Sequence, residues 1–120
     1  MITEDYVNFE IAKLLKEKGF DVCCMAVYSL QGQFNNPASI FSLKNNEFIY
    51  APTLQMAMKW LREERKINIE IITYWTKDKS MVYGNRIVYN DAVLKEIDTA
   101  YNSYEEACET AIKYCLKNLI

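Results

Sequence analysis

No histidine occurs among the 120 residues of this chain. That absence excludes Ser-His-Asp and Cys-His nucleophile pairs, H-E-x-x-H metal sites and histidine acid–base chemistry. It also removes the commonest transition-metal ligand. Glycine is scarce, with Gly19, Gly32 and Gly84 alone. None opens a helix, and no G-x-G or G-K-[ST] sequence exists, so no known phosphate-binding loop is present. No D-x-D-x-D spacing offers clustered oxygen ligands. Long apolar runs are also missing. The longest, Val22 to Tyr28, falls far short of the ~20 residues that span a bilayer. The first residues, MITEDYVNFE, lack the basic and apolar regions of a signal peptide, so a cytoplasmic residence is expected. A net charge of −2 and a pI near 5.2 give no general attraction to nucleic acid or anionic lipid.

Four cysteines are present: Cys23, Cys24, Cys108 and Cys115. Cys23 and Cys24 are adjacent on an expected strand, so their side chains point to opposite faces. Cys108 and Cys115 lie on an expected helix, ~10 Å apart along its axis, too far to bridge or to share a metal. There is no C-x-x-C. Four buried, reduced thiols are the plain reading.

What is there suits one globular domain, 1–120, with 51% hydrophobic and 25% charged residues. The first helix is expected over Glu4 to Lys18, with Thr3 as N-cap. Val7, Ile11, Leu14 and Leu15 form its apolar stripe. Gly19 suits the left-handed residue that ends a helix, and Phe20 the apolar contact of a Schellman motif, against Leu15. Val22 to Leu30 is apolar on both faces and reads as a central strand. Gln31 to Pro37 reads as a loop. Ile40 to Leu43 and Glu47 to Tyr50 read as a hairpin across Lys44-Asn45-Asn46.

The second helix follows Pro52, with Thr53 as N-cap. Leu54, Ala57, Met58 and Leu61 are its buried face, widened by Met56 or Trp60. Ile67 to Thr76 is a strand whose Ile67, Ile69 and Ile71 alternate with Asn68 and Glu70. Lys77-Asp78-Lys79 is a turn. Met81 to Tyr89 is a further strand with a candidate break at Gly84-Asn85. Asn90 to Asn102 reads as a loop holding a short strand or one helical turn. Ser103-Tyr104-Glu105-Glu106 is an S-x-x-E capping box. The stripe Tyr104, Cys108, Ala111, Ile112, Cys115, Leu116 and Leu119 follows it. The expected fold is therefore α+β, in the order α-β-β-β-α-β-β-α, with a largely antiparallel sheet and helices packed on one face.

The segments YVNFEIAKLLKEKGFD (Tyr6 to Asp21), APTLQMAMKWLRE (Ala51 to Glu63) and SYEEACETAIKYCLKNLI (Ser103 to Ile120) resemble a group of small uncharacterised, phage-related proteins of Bacteroides-type gut bacteria. The resemblance implies a prophage or mobile element as context. It implies no activity, and it carries over no catalytic, cofactor-binding or metal residue.

Glu63-Glu64, Glu105-Glu106 and Asp91 are the carboxylate candidates for acid–base work. Helix capping explains Glu105 and Glu106, and an i,i+4 pair with Lys59 explains Glu63. Lys59, Arg62, Arg65 and Lys66 form a basic run that Glu63 and Glu64 interrupt, with no aromatic residues interleaved for base stacking. Aromatics make up 13% of the chain. Trp60 and Trp75 bracket the join of helix to strand, and Tyr28, Tyr50, Tyr74, Tyr83 and Tyr89 fall on expected strands. Strand propensity accounts for most of them. Tyr74 shares a face with Asn68, Glu70 and Ile72, opposite the isoleucine stripe, and is the candidate for an exposed aromatic on an open sheet face.

The residues thus name no reaction, no cofactor and no metal. They favour a non-catalytic interaction or accessory module that binds a protein partner or itself. A nucleic-acid-associated regulator of the element is the alternative.

Overall fold

The computed structural model describes residues 2–36, 48–90, 92–96 and 100–120. Its elements are α1 (Phe9–Glu17), β1 (Val27–Ser29), β2 (Phe34–Asn35), β3 (Phe48–Tyr50), α2 (Leu54–Glu64), β4 (Ile67–Trp75), β5 (Met81–Tyr89), β6 (Ala92–Glu96) and α3 (Tyr104–Asn118). The fold is α+β, as expected. The antiparallel strands divide between two sheets, ordered β2-β1-β3 and β4-β5-β6.

Each helix starts where a side chain caps it, and one start differs from expectation. Thr53 Oγ1 accepts from Met56 N at 3.1 Å, and Ser103 Oγ accepts from Glu106 N at 3.1 Å. α1, however, begins at Phe9 and not at Glu4. Its cap is Asn8, whose Oδ1 accepts from Ile11 N at 2.9 Å. The preceding residues are held extended against the start of α2. Val7 N donates to Pro52 O at 3.0 Å, and Leu54 N donates to Asp5 O at 2.9 Å. A tertiary pairing therefore outcompetes the first helical turn. It buries Val7 completely and gives a partner to a helix N-terminal N–H that would otherwise lack one.

α1 ends as its sequence indicates. Gly19 has φ +96°, Phe20 N donates to Leu15 O at 2.9 Å, and Gly19 N donates to Lys16 O at 3.2 Å, the two bonds of a Schellman motif.

The first sheet is shorter than its apolar sequence suggests. β1 occupies only Val27–Ser29, although it is the central strand. Residues Asp21–Cys24 are not strand, Val22 is 38% exposed and Met25 67% exposed. Apolarity on both sides here reflects exposure rather than burial in a sheet. The span read as a loop contains β2, which pairs with β1 through a turn at Gly32. Gly32 has φ +92°, and a Cβ there would meet the Phe9 ring at 3.1 Å. β3 pairs with β1 as the other neighbour. The expected strand Ile40 to Leu43 and the turn Lys44-Asn45-Asn46 lie outside the described residues.

The second sheet is regular. β4 and β5 pair without interruption from Ile67–Tyr89 to Trp75–Met81. Gly84-Asn85 is thus not a break. The irregularity falls between Ile87 and Val88, where β5 pairs with β6, the short strand within Asn90 to Asn102.

The core forms where the three helices meet this sheet. α3 contacts α1, α2, β4 and β5. Cys108, Ala111, Ile112, Cys115 and Leu116 of α3 are fully buried with Ile11, Leu15, Leu61, Ile67 and Ile87. In α2, Trp60 rather than Met56 widens the buried face. Asn85 of β5 is buried among these residues, and its Nδ2 donates to Ala107 O at 2.9 Å. Outside the core, Glu10 of α1 bridges to Lys113 and Lys117 of α3 at 3.1 and 3.3 Å. Among the described residues no helix is long and apolar enough to cross a membrane.

The displaced start of α1 can be tested by substitution. Asn8→Ala is expected to lower unfolding free energy by about 1 kcal/mol, the usual cost of a lost cap. Thr3→Ala is expected to leave it unchanged, because Thr3 is exposed and lies ahead of the helix. Denaturant unfolding of the two variants measures both values.

Candidate functional site

The two faces of the β4–β5 hairpin differ because side chains alternate along a strand. Residues directly opposite one another share a face. Ile67, Ile69 and Ile71 turn toward the helices, with Tyr89, Ile87 and Asn85 opposite them. Asn68, Glu70, Ile72 and Tyr74 turn the other way, with Val88, Arg86, Gly84 and Val82 opposite. Glu70 and Arg86 form a two-bond ion pair in the middle of this open face.

Burial falls steadily along β4. Ile67 is fully buried, the next four residues are half-buried, and the last four are exposed. The distal half of β4 is therefore left uncovered, whereas Val82 of β5, opposite Tyr74, stays buried. Large apolar side chains at this end stay in water: Ile72 is 37% exposed, Tyr74 42%, Met81 43% and Trp75 67%. Trp75 and Met81 are directly opposite each other. The tip beyond them is a tight turn. Thr76 N donates to Ser80 O at 2.9 Å, and Lys79 adopts φ 65°. Asp78 bonds the Thr76 hydroxyl, and with the Ser80 bonds this holds its carboxyl below the usual range. The tip is thus well ordered, and it presents Lys77 and Lys79 around the apolar group.

The other aromatic candidates serve packing. Tyr28 donates to Val7 O at 2.7 Å and contacts the rings of Phe9 and Phe34. Tyr50 packs edge-on to Phe48, and Tyr83 edge-on to Tyr104. Tyr89 packs against the core. Trp60 is buried edge-on to Phe20, under the Arg65 guanidinium 5.4 Å from its ring. Of the two tryptophans, then, only Trp75 reaches solvent. Sequence reasoning selected Tyr74, on the face it shares with Ile72. It did not select Met81, which the hairpin register brings opposite Trp75.

The charged candidates do not converge. Glu63 and Glu64 are exposed, and the described ion pairs do not include Glu63 with Lys59. Arg65 donates to Lys18 O at the end of α1, and Lys66 Nζ donates to Glu63 O at 3.1 Å. The basic run is thereby partly spent on local backbone. Asp91 lies outside the described residues. Glu105 and Glu106 sit in the first turn of α3 as expected. With Asp5 they surround Glu109, whose carboxyl is pushed up by burial first and then by these neighbours.

A cleft of about 520 Å³ lies at the end of α1 between Lys16, Phe20, Asp21, Phe48 and Tyr50. Its size suits a small ligand. Three of its walls are aromatic, and the neighbouring Cys23 thiol raises the Tyr50 phenol. Among the described residues no group of three or more His, Cys, Asp or Glu side chains could hold a metal ion.

The thiols are not all buried. Cys108 and Cys115 are, and burial pushes each up to about 12. Cys24 is half-buried and raised to about 11, by burial and then by Cys23. Cys23 is exposed, because residues 21–24 lie outside any strand.

Comparison with protein-family models, with curated proteins and with solved structures finds no match to this chain.

The thiols and Glu109 each allow a test. A thiol reagent at neutral pH should titrate Cys23 readily and Cys24 slowly. Cys108 and Cys115 should react only on unfolding, since the thiolate is the nucleophile. For Glu109, the raised folded pKa means that ionisation weakens the fold. That cost is absent below the ordinary value of 4.5 and grows as pH rises through the raised value. Glu109→Gln should therefore raise Tm at neutral pH and leave it unchanged in acid below 4.5. Thermal unfolding at the two pH values checks the sign.

Proposed function

We propose that this protein is a non-catalytic interaction module whose docking surface is the distal end of the β4–β5 hairpin. One observation carries the reading. Large apolar side chains stand exposed on both faces of the hairpin's distal end, Ile72 and Tyr74 on the open face and Trp75 with Met81 on the other. Aromatic and methionine side chains dominate the energetic centres of protein interfaces. Singly exposed apolar residues need no explanation, but a contiguous group marks an interaction site. The resemblance to phage-related proteins favours a prophage or mobile element as its context, with the host cytoplasm as the proposed place of action.

The nucleic-acid alternative draws less support. Arg65 and Lys66 are engaged with backbone carbonyls, and only Lys77 and Lys79 flank the apolar group.

Tagged protein recovered from a bacterial host lysate, with and without nuclease, tests the reading. A specific protein partner is expected in both samples. The double substitution Tyr74→Ala, Trp75→Ala should weaken its binding by about 2 kcal/mol or more, the loss typical of a central anchor. Circular dichroism should stay unchanged, because both side chains lie outside the core. Recovery that depends on nucleic acid and survives the double substitution would overturn the proposal.

A further inference from the structure

The direction of the free backbone groups on β4 carries the reading further. Among the described residues β4 is an edge strand. Opposite it, Tyr83 of β5 exchanges both of its backbone hydrogen bonds with Tyr101, at 3.0 and 2.7 Å, on the far side of β5. Thr73 is the residue directly opposite Tyr83. In an antiparallel ladder opposite residues either both bond each other or both turn away. Thr73 therefore turns its N–H and C=O off the open edge. The period of two extends this to Ile69, Ile71 and Trp75. Thr76 N, which points to Ser80 O, fits the same alternation. Among the described residues these outward groups have no backbone partner.

The devices that keep edge strands apart are missing from β4. Such edges ordinarily carry lysine, proline or a bulge. Ile67–Trp75 contains no lysine and no proline, and its pairing with β5 is continuous. Its single charge, Glu70, is neutralised by Arg86.

We infer that β4 pairs with β4 of a second copy of this chain, antiparallel about a two-fold axis at Thr73. This rests on the interaction reading above and names the partner. Outward groups must meet outward groups, so Thr73 faces Thr73 of the second copy, and Ile71 faces its Trp75. On the open face Ile72 faces Tyr74 of the second copy, and the reverse. Each is a β-branched–aromatic pair, the favourable kind, and no like charges stand opposite each other. The two three-stranded sheets then join in one continuous six-stranded sheet. Ile72, Tyr74 and Trp75 of each copy each gain a cross-strand neighbour from the other, as an isologous interface requires.

Two measurements on the whole protein test this. Amide exchange is read first, without substitution. The Thr73 amide should become protected as protein concentration rises, whereas the Tyr74 amide, already bonded within the hairpin, should be protected throughout. Rapid exchange at Thr73 at every concentration overturns the inference.

Sedimentation of two variants is read second. Thr73→Lys and Thr73→Glu each place like charges on the axis. Each should weaken dimerisation about tenfold or more, and mixing the two should restore it. Thr73 is exposed, so both variants should keep the wild-type circular dichroism. Dimers that are indifferent to these charges, or a mixture that stays monomeric, overturn the axis. A monomeric wild type that still captures a different protein through Trp75 overturns the inference and leaves the interaction reading standing. A monomer that captures nothing sinks both.

Discussion

Burial of the α3 stripe is the constraint on which the rest of the structure depends. Cys108, Ala111, Ile112, Cys115 and Leu116 lose all contact with water, and α1, α2, β4 and β5 are the elements that cover them. At about 25 cal/mol per Å² of apolar surface, such a stripe is the dominant favourable contribution of the helix. The same burial raises the Cys108 and Cys115 thiols. It also sets a polar exception among these residues: Asn85 reaches Ala107 O from the sheet, and its own Oδ1 finds no hydrogen-bond partner among the described residues. A buried amide bonded to a single helix position opposes any slip of α3 along β5, because a slip would leave the Nδ2 unpaired at a cost of about 1–3 kcal/mol.

A second junction fixes where the remaining elements begin. The extended segment through Tyr6 pairs with Thr53, and the Val7 carbonyl accepts the Tyr28 hydroxyl. The starts of α1 and α2 and the central strand of the first sheet thus meet at one residue. Nearby, Arg65 joins two helices. It ends α2, lies over Trp60 and satisfies a carbonyl at the end of α1. An arginine can do this because its guanidinium is planar and offers several donors.

The hairpin stands apart from that logic. β4 runs nine residues, but the helices cover only its first part, so the same strand is core at Ile67 and surface at Trp75. Continuous hairpin pairing holds the distal end of β4 extended where the helices do not cover it. That combination of paired backbone and exposed apolar area lowers the entropic cost of docking, since few groups must be ordered on contact.

The amino-acid order by itself determined the local decisions. The caps Thr53 and Ser103, the Schellman stop at Gly19, the α3 stripe and the isoleucine alternation of β4 depend on short-range periodicity and hydrogen bonding, which a sequence displays directly. It also pointed to Tyr74 as an open-face aromatic. Only the tertiary structure decided three other matters. The helix start moved from Thr3 to Asn8 because a distant segment, Pro52 to Leu54, offers the backbone better partners. The run from Val22 to Met25 lies outside any strand because burial depends on which neighbours arrive, not on apolarity. The site itself, in which Met81 stands opposite Trp75 and Thr73 turns its backbone outward, depends on hairpin register and on the bond between Tyr83 and Tyr101. Register is a property of two strands together, and neither strand's sequence contains it.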